Sequence, residues 1–210
     1  MIANVAVIVI GYLLGSIPFA YIIPKLSAGV DIRKLGLGNA GAANVFREVG
    51  RWKGVLVWAA DVVKGASAVL IALALGVSQP WVLGAGFAAL VGHCFPVFIG
   101  FRGGIGAATF MGIFLVNTPE AMAITFLLMA IPFLIAHRVI VAIMAVAPIL
   151  LVLIWVFEHS WLIVAYAAAL LAFMAIKSIP GAMRKPAAPS AIDDETVAAE
   201  NGAEKVSQSE

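Results

Sequence analysis

The sequence predicts an all-α integral membrane protein of about seven transmembrane helices, with the N-terminus outside and the C-terminus cytoplasmic. Three observations carry that expectation. Of 210 residues, 63% are hydrophobic and 11% are charged, whereas soluble domains run near 45–50% apolar and about 25% charged. The apolar residues gather in runs close to the roughly 20 residues needed to cross a bilayer. The cations alternate from one connection to the next, as the positive-inside rule requires.

Residues 5–24 are the first predicted span. The start MIAN has no basic n-region, and the apolar run exceeds a normal signal h-region, so this segment is expected to remain as a helix. Pro18 lacks a backbone donor and should kink it. Residues 31–54 read as a basic loop, and residues 55–75 as a second span in which Asp61 and Lys64 share a helix face. GVSQP (76–80) is a tight connection, with Pro80 suited to opening the next helix. Residues 81–99 form a third span containing His93 and ending at Phe95-Pro96, followed by the polar turn 100–104.

Residues 105–116 are short for a crossing, which predicts a helix inserted at an angle. Spans at 121–136, 139–157 and 161–179 complete the set, with breaks at Asn117–Glu120, His137–Arg138 and Glu158–Ser160. Residues 1–181 then make one membrane domain. Residues 182–210, acidic and without apolar periodicity, read as a disordered cytoplasmic tail.

Charge placement sets the orientation. With the N-terminus outside, every Lys and Arg except Lys64 falls on the inner side, and the outer connections near Val77, Asn117 and His159 hold none. The formal net charge of +2 is small, so it is the position of the cations that informs. Nucleic-acid binding has no support beyond charge that topology already explains. Cys94 is the one cysteine, so no internal disulfide is available, and in an apolar run it is expected to be inert. No HExxH or CxxC spacing points to a metal.

The chemistry is concentrated in residues 31–54, DIRKLGLGNAGAANVFREVGRWKG. Arg33, Lys34, Arg47, Arg51 and Lys53 flank a track of small residues from Gly36 to Asn44. Cations beside glycines bring backbone N–H groups and positive charge together on an anion. This predicts a phosphate site at the membrane surface; topology alone is the competing explanation of the loop's charge. Asp61 and Lys64 either neutralise each other within the bilayer or line a polar pocket below the loop. His93 is either a packing residue or a general base. The glycines at 100, 103, 104 and 106 serve either helix packing or close approach of backbone to a ligand.

Four stretches in order, GSIPFAYII (15–23), DIRKLGLGNAGAANVFREVG (31–50), DVVKG (61–65) and GHCFPVFIGFRGGIGAAT (92–109), resemble the bacterial acyl-phosphate-dependent glycerol-3-phosphate acyltransferase family, the PlsY-like proteins. The resemblance implies a multi-pass protein of the bacterial inner membrane with a cytoplasmic active site. Such a protein moves a fatty acyl group from acyl phosphate to the 1-hydroxyl of glycerol 3-phosphate, giving lysophosphatidic acid. It further implies no metal or cofactor, and a partner enzyme that makes acyl phosphate. Position by position, it implies catalytic roles for Arg47 and His93. Substrate-binding roles are implied for Arg33, Gly38, Asn39, Gly41, Asn44, Asp61, Lys64, Arg102, Gly103, Gly104 and Gly106.

The chain departs from the family pattern at four places. Leu37 stands for a serine, Ala43 for a threonine and Ile105 for a lysine, and residues 175–185 lack the family's C-terminal histidine and glutamate. A lost charge-assisted contact to phosphate is worth on the order of 1.5–3 kcal/mol. Two rival expectations therefore stand: a non-catalytic relative that binds acyl phosphate or phospholipid, and a small transporter lined by Asp61, Lys64 and His93. The absence of repeated halves in the sequence argues against the second.

Overall fold

A computed structural model describes residues 1–136 and 139–182. The predicted break at His137 and Arg138, and the predicted tail from residue 183 onward, lie outside the described residues.

Pro18 divides the first predicted span into two helices. Helix α1 (Ile2–Ser16) ends before it, Ile17 is extended at φ −60°, ψ 114°, and α2 (Phe19–Ala28) begins directly after it. The residue before a proline is pushed out of the helical region, so a full break replaces the expected kink. The Ile17 carbonyl accepts a hydrogen bond from Lys64 Nζ at 3.0 Å. Helix α2 stops at Gly29, whose left-handed φ of 69° lets its N–H bond back to the Lys25 carbonyl.

The region read as a loop contains two helical pieces. After a 3-10 turn at Ile32–Lys34 come α3 (Ala42–Glu48) and then α4 (Arg51–Ala74), which starts inside the predicted loop. Gly54, Val57, Asp61, Lys64, Gly65 and Ala68 are buried at helical spacing, so the inward face of α4 reaches back into its first turns. Gly54 there meets the Phe46 backbone of α3. Beneath the loop, Ala20, Ile32, Ala40, Val45 and Val57 make a small apolar cluster of their own.

Helix α5 (Gln79–Cys94) opens with Pro80 in its first turn and ends just before Phe95-Pro96, both as the sequence predicts. Pro96 is again the cause, and a 3-10 turn at Val97–Ile99 follows. Helix α6 (Ala107–Asn117) has 11 residues, about 16 Å at 1.5 Å per residue, roughly half the ~30 Å of hydrocarbon. Helices α7 (Pro119–Ala136), α8 (Val139–Glu158) and α9 (Trp161–Ala182) complete the described chain. Among the described residues, five helical stretches are long and apolar enough to cross a membrane, with two shorter apolar helices at Ala107–Asn117 and Pro119–Pro132.

Small residues set the packing that builds the site. A Cβ on Gly15 of α1 would overlap the Ala89 carbonyl of α5, and one on Gly92 of α5 would overlap the Tyr12 carbonyl of α1. Likewise Gly65 of α4 lies against the Thr109 carbonyl of α6, and Gly112 of α6 against the Val62 carbonyl of α4. Between helices in lipid, close van der Waals contact replaces the hydrophobic drive that water would supply. These approaches bring Asp61 and Lys64 on α4, His93 on α5 and Thr109 on α6 to one place.

Candidate active site

Two cavities meet at Gly103, which belongs to the wall of both. The inner one, about 10 Å³, is bounded by Pro18, Phe19, Asp61, Lys64 and His93; it has room for about one water. The outer one, about 370 Å³, is lined by Arg33, Leu37, Gly38 and Asn39 from the first loop. Residues 101–105 from the second loop, and Lys177 and Ser178 from α9, close it.

The inner cavity is walled by a buried polar cluster. Asp61, Lys64 and His93 are 1%, 4% and 6% exposed. Lys64 Nζ lies 2.7 Å from Asp61 Oδ1 and also donates to the Ile17 carbonyl that Pro18 strands outside a helix. His93 Nδ1 is 3.2 Å from Thr109 Oγ1 and 3.6 Å from Asp61 Oδ1. Asp61 Oδ2 is buried without a hydrogen-bond partner among the described residues. The two readings of Asp61 and Lys64 thus hold together: they neutralise each other and they wall a polar space. His93 Nε2 lies against Gly104, where a Cβ would come within 2.5 Å of it and 2.7 Å of the Ala40 carbonyl. The imidazole therefore stands directly behind the backbone wall of the outer cavity.

Arg33 ties the two loops together. Its Nε and Nη2 donate to Asp31 Oδ1 at 2.9 Å and Oδ2 at 2.7 Å, and its Nη1 donates to the Ile99 carbonyl at 3.0 Å. The guanidinium also sits 4.8 Å above the Tyr21 ring. The hydrogen bond from Arg33 holds the Asp31 carboxyl below its ordinary value of 3.8, and Asp31 in turn raises Arg33. The clamp's contribution is therefore fully present above pH ~4 and is lost as pH falls through the lowered native value.

Asn44 organises the first loop from inside. Its Nδ2 lies within 3.0–3.1 Å of the carbonyls of Ile32, Leu35 and Asn39, and its Oδ1 accepts from the Leu37 N–H at 2.9 Å. Both ends of the amide are spent on backbone, and this holds Gly38 and Asn39 in the cavity wall. Gly38 bonds its N–H to the Leu35 carbonyl and has φ 67°, a turn conformation that disfavours a side chain.

Of the residues singled out from sequence, Arg33, Gly38, Asn39, Arg102, Gly103 and Gly104 line the outer cavity. Asp61, Lys64 and His93 line the inner one. Gly41 precedes α3 and Gly106 precedes α6, so both sit at helix starts rather than in the walls. Arg47 is exposed on α3, and the structure does not place it among the lining residues. Lys177 and Ser178 were missed. Lys177 is the one cation in residues 161–179; the positive-inside rule accounts for it near a helix end, which hid its place in this wall.

The profile of the glycerol-3-phosphate acyltransferase family matches residues 5–184, nearly the whole described chain. The chain belongs to this family. A glycerol-3-phosphate acyltransferase of Exiguobacterium sibiricum is 45% identical over 138 residues, 66% of this chain and 65% of that relative. One of Geobacter sulfurreducens is 43% identical over 119 residues, 57% of this chain and 61% of the relative. The chain thus spans just under two thirds of the length of these curated acyltransferases. Among solved structures, PlsY, described as an integral membrane glycerol 3-phosphate acyltransferase, superposes in its glycerol 3-phosphate form with a TM-score of 0.78. It is 33% identical, covering 84% of this chain and 88% of PlsY. The lysophosphatidic acid form gives a TM-score of 0.74 at 31% identity. With its own apolar helices, this makes the present family member an all-helical, multi-pass membrane protein.

Proposed function

We propose that this protein transfers a fatty acyl group from acyl phosphate to the 1-hydroxyl of glycerol 3-phosphate, releasing phosphate and forming lysophosphatidic acid. The observation that carries this reading is the outer cavity. Two glycine-rich loops and the end of α9 meet there around Arg33, Arg102 and Lys177. Both substrates are phosphate anions, and the acyl carbonyl gains negative charge as the hydroxyl oxygen attacks it. Fixed cations and backbone N–H groups stabilise such charge without reorganising. Phosphate departs readily, so no protein nucleophile is required. Arg33, Gly38, Asn39, Arg102, Gly103 and Gly104 bind substrate in this reading, and Asn44, Gly41 and Gly106 shape the loops that present them. Asp61 and Lys64 hold the inner wall. His93 acts from behind Gly104, and Arg47 adds positive charge from α3.

The reading extends to topology. Taking α1 and α2 as one segment, seven apolar segments pass through the bacterial inner membrane, N-terminus outside and C-terminus in the cytoplasm, where a partner enzyme supplies acyl phosphate. Support comes from Arg33, Arg102 and Lys177, which the charge pattern assigns to one side and which surround one cavity. A cysteine at Val77 is expected to react with an impermeant thiol reagent from outside; Cys94 is buried and gives no background. Labelling from the cytoplasmic side alone would reverse the orientation.

A second reading, a non-catalytic relative that binds acyl phosphate or phospholipid, is favoured by Leu37 and Ile105, whose apolar side chains line the same cavity. Purified protein given acyl phosphate and labelled glycerol 3-phosphate separates the two. The expected result is lysophosphatidic acid well above a no-protein control. Its absence from folded, ligand-binding protein would leave the binding reading in its place.

A further inference from the structure

Charge matching in the outer cavity singles out Lys177. Arg33 contributes little net charge, because its guanidinium is paired with both oxygens of Asp31. Ile105 contributes none. Two cations in the wall, Arg102 and Lys177, have no carboxylate partner among the described residues. A phosphate monoester near neutral pH carries close to two negative charges. Without Lys177, one unpaired cation would face it.

Lys177 is also held in an unusual way. Its ammonium lies 4.0 Å from the centroid of the Phe95 ring, and among the described residues it makes no hydrogen bond. Phe95 is fixed independently: its ring packs edge-on against Phe173, one turn earlier on α9, and its carbonyl accepts from Tyr12 Oη at 3.0 Å. A lysine at a helix end in a membrane ordinarily snorkels outward to water. This one is half-buried, turned toward the ring and the cavity.

We propose that Lys177 is a transferable cation of this site, resting on the Phe95 ring and moving onto a phosphate dianion that enters the cavity beside Arg102. A ring face attracts an ammonium but offers no hydrogen-bond acceptor to its three donors. A phosphate oxygen offers both charge and acceptors, so the stronger contact draws the side chain off the ring. The inference rests on the proposed function in taking the occupant to be a phosphate ester. It adds that α9 delivers one of the two cations that neutralise it.

The test uses the full chain in detergent or nanodiscs, with binding of inorganic phosphate and of glycerol 3-phosphate measured alongside acyl-transfer kinetics. Lys177→Met is expected to weaken both anions about tenfold or more and to raise KM for glycerol 3-phosphate, with the melting temperature unchanged. Lys177→Arg, keeping the charge, is expected to stay within about threefold of wild type. Phe95→Leu, removing the resting contact, is expected to bind phosphate as tightly or about twofold tighter. Wild-type affinity in Lys177→Met, equal losses in Lys177→Met and Lys177→Arg, or no phosphate binding by wild type would each overturn the proposal. Wild-type acyl transfer with an unchanged KM in Lys177→Met sinks this inference and spares the proposed function. Phosphate binding that depends on Lys177 in a protein with no transferase activity does the reverse.

Discussion

Lys64→Met is expected to destabilise the protein by about 3–5 kcal/mol, because it leaves a charged carboxylate buried without its partner. Asp61 is 1% exposed, and Lys64 is the cation 2.7 Å from it. The same substitution removes the donor to the Ile17 carbonyl at the break between α1 and α2, so the joint loosens with the ion pair. At roughly 2–4 °C per kcal/mol for a chain of this size, the melting temperature should fall by about 10 °C. The double variant Asp61→Asn/Lys64→Met removes both charges and is expected to recover a good part of that loss, a coupling readable by thermal unfolding in detergent. A Lys64→Met protein melting within 2 °C of wild type would show that the pair does not hold this joint.

Gly103→Ala is the second large effect. A methyl group there would overlap the His93 carbonyl and approach Pro96 Cδ to 2.6 Å, with no flexible side-chain end to yield. The second loop must shift, and for the proposed two-substrate reaction a displacement of about 1 Å costs on the order of a hundredfold in rate. Acyl transfer is expected to fall by about that factor, with a loss of about 1–3 kcal/mol in stability from overpacking. Gly41→Ala is the contrasting substitution. Its added Cβ meets Asn39 Oδ1 at 3.4 Å, an ordinary contact, and the variant is expected to melt as wild type does. Normal turnover in Gly103→Ala would remove the shared wall of the two cavities from the proposed mechanism.

Leu37 shows how a sequence departure and a structural one differ. From sequence it reads as an apolar intruder at an anion site. In the fold, the contact that shapes the loop at this position is made by the Leu37 backbone N–H to Asn44 Oδ1, which any residue but proline supplies. The side chain changes the wall of the cavity and leaves its scaffold in place. Ile105 is similar: it takes a cation out of the second loop, and Lys177, 72 residues further along the chain, stands in the same wall.

Hydrophobic run length, the side on which cations fall and the order of four motifs belong to the chain itself. From them the sequence by itself determined an all-helical membrane protein, the family, the Asp61, Lys64 and His93 side chains of the inner wall and about half of the outer wall, since each signal is local or periodic. Tertiary structure alone decided that Pro18 ends its helix outright, because whether a proline kinks or breaks a helix depends on what satisfies the carbonyls around it, here Lys64 for Ile17. It also decided that Asn44 faces inward to backbone, that Arg33 is already paired with Asp31, and that Lys177 reaches the loops from α9. Each of these is a contact whose partner is set by how the chain folds back on itself, and residue spacing does not encode it.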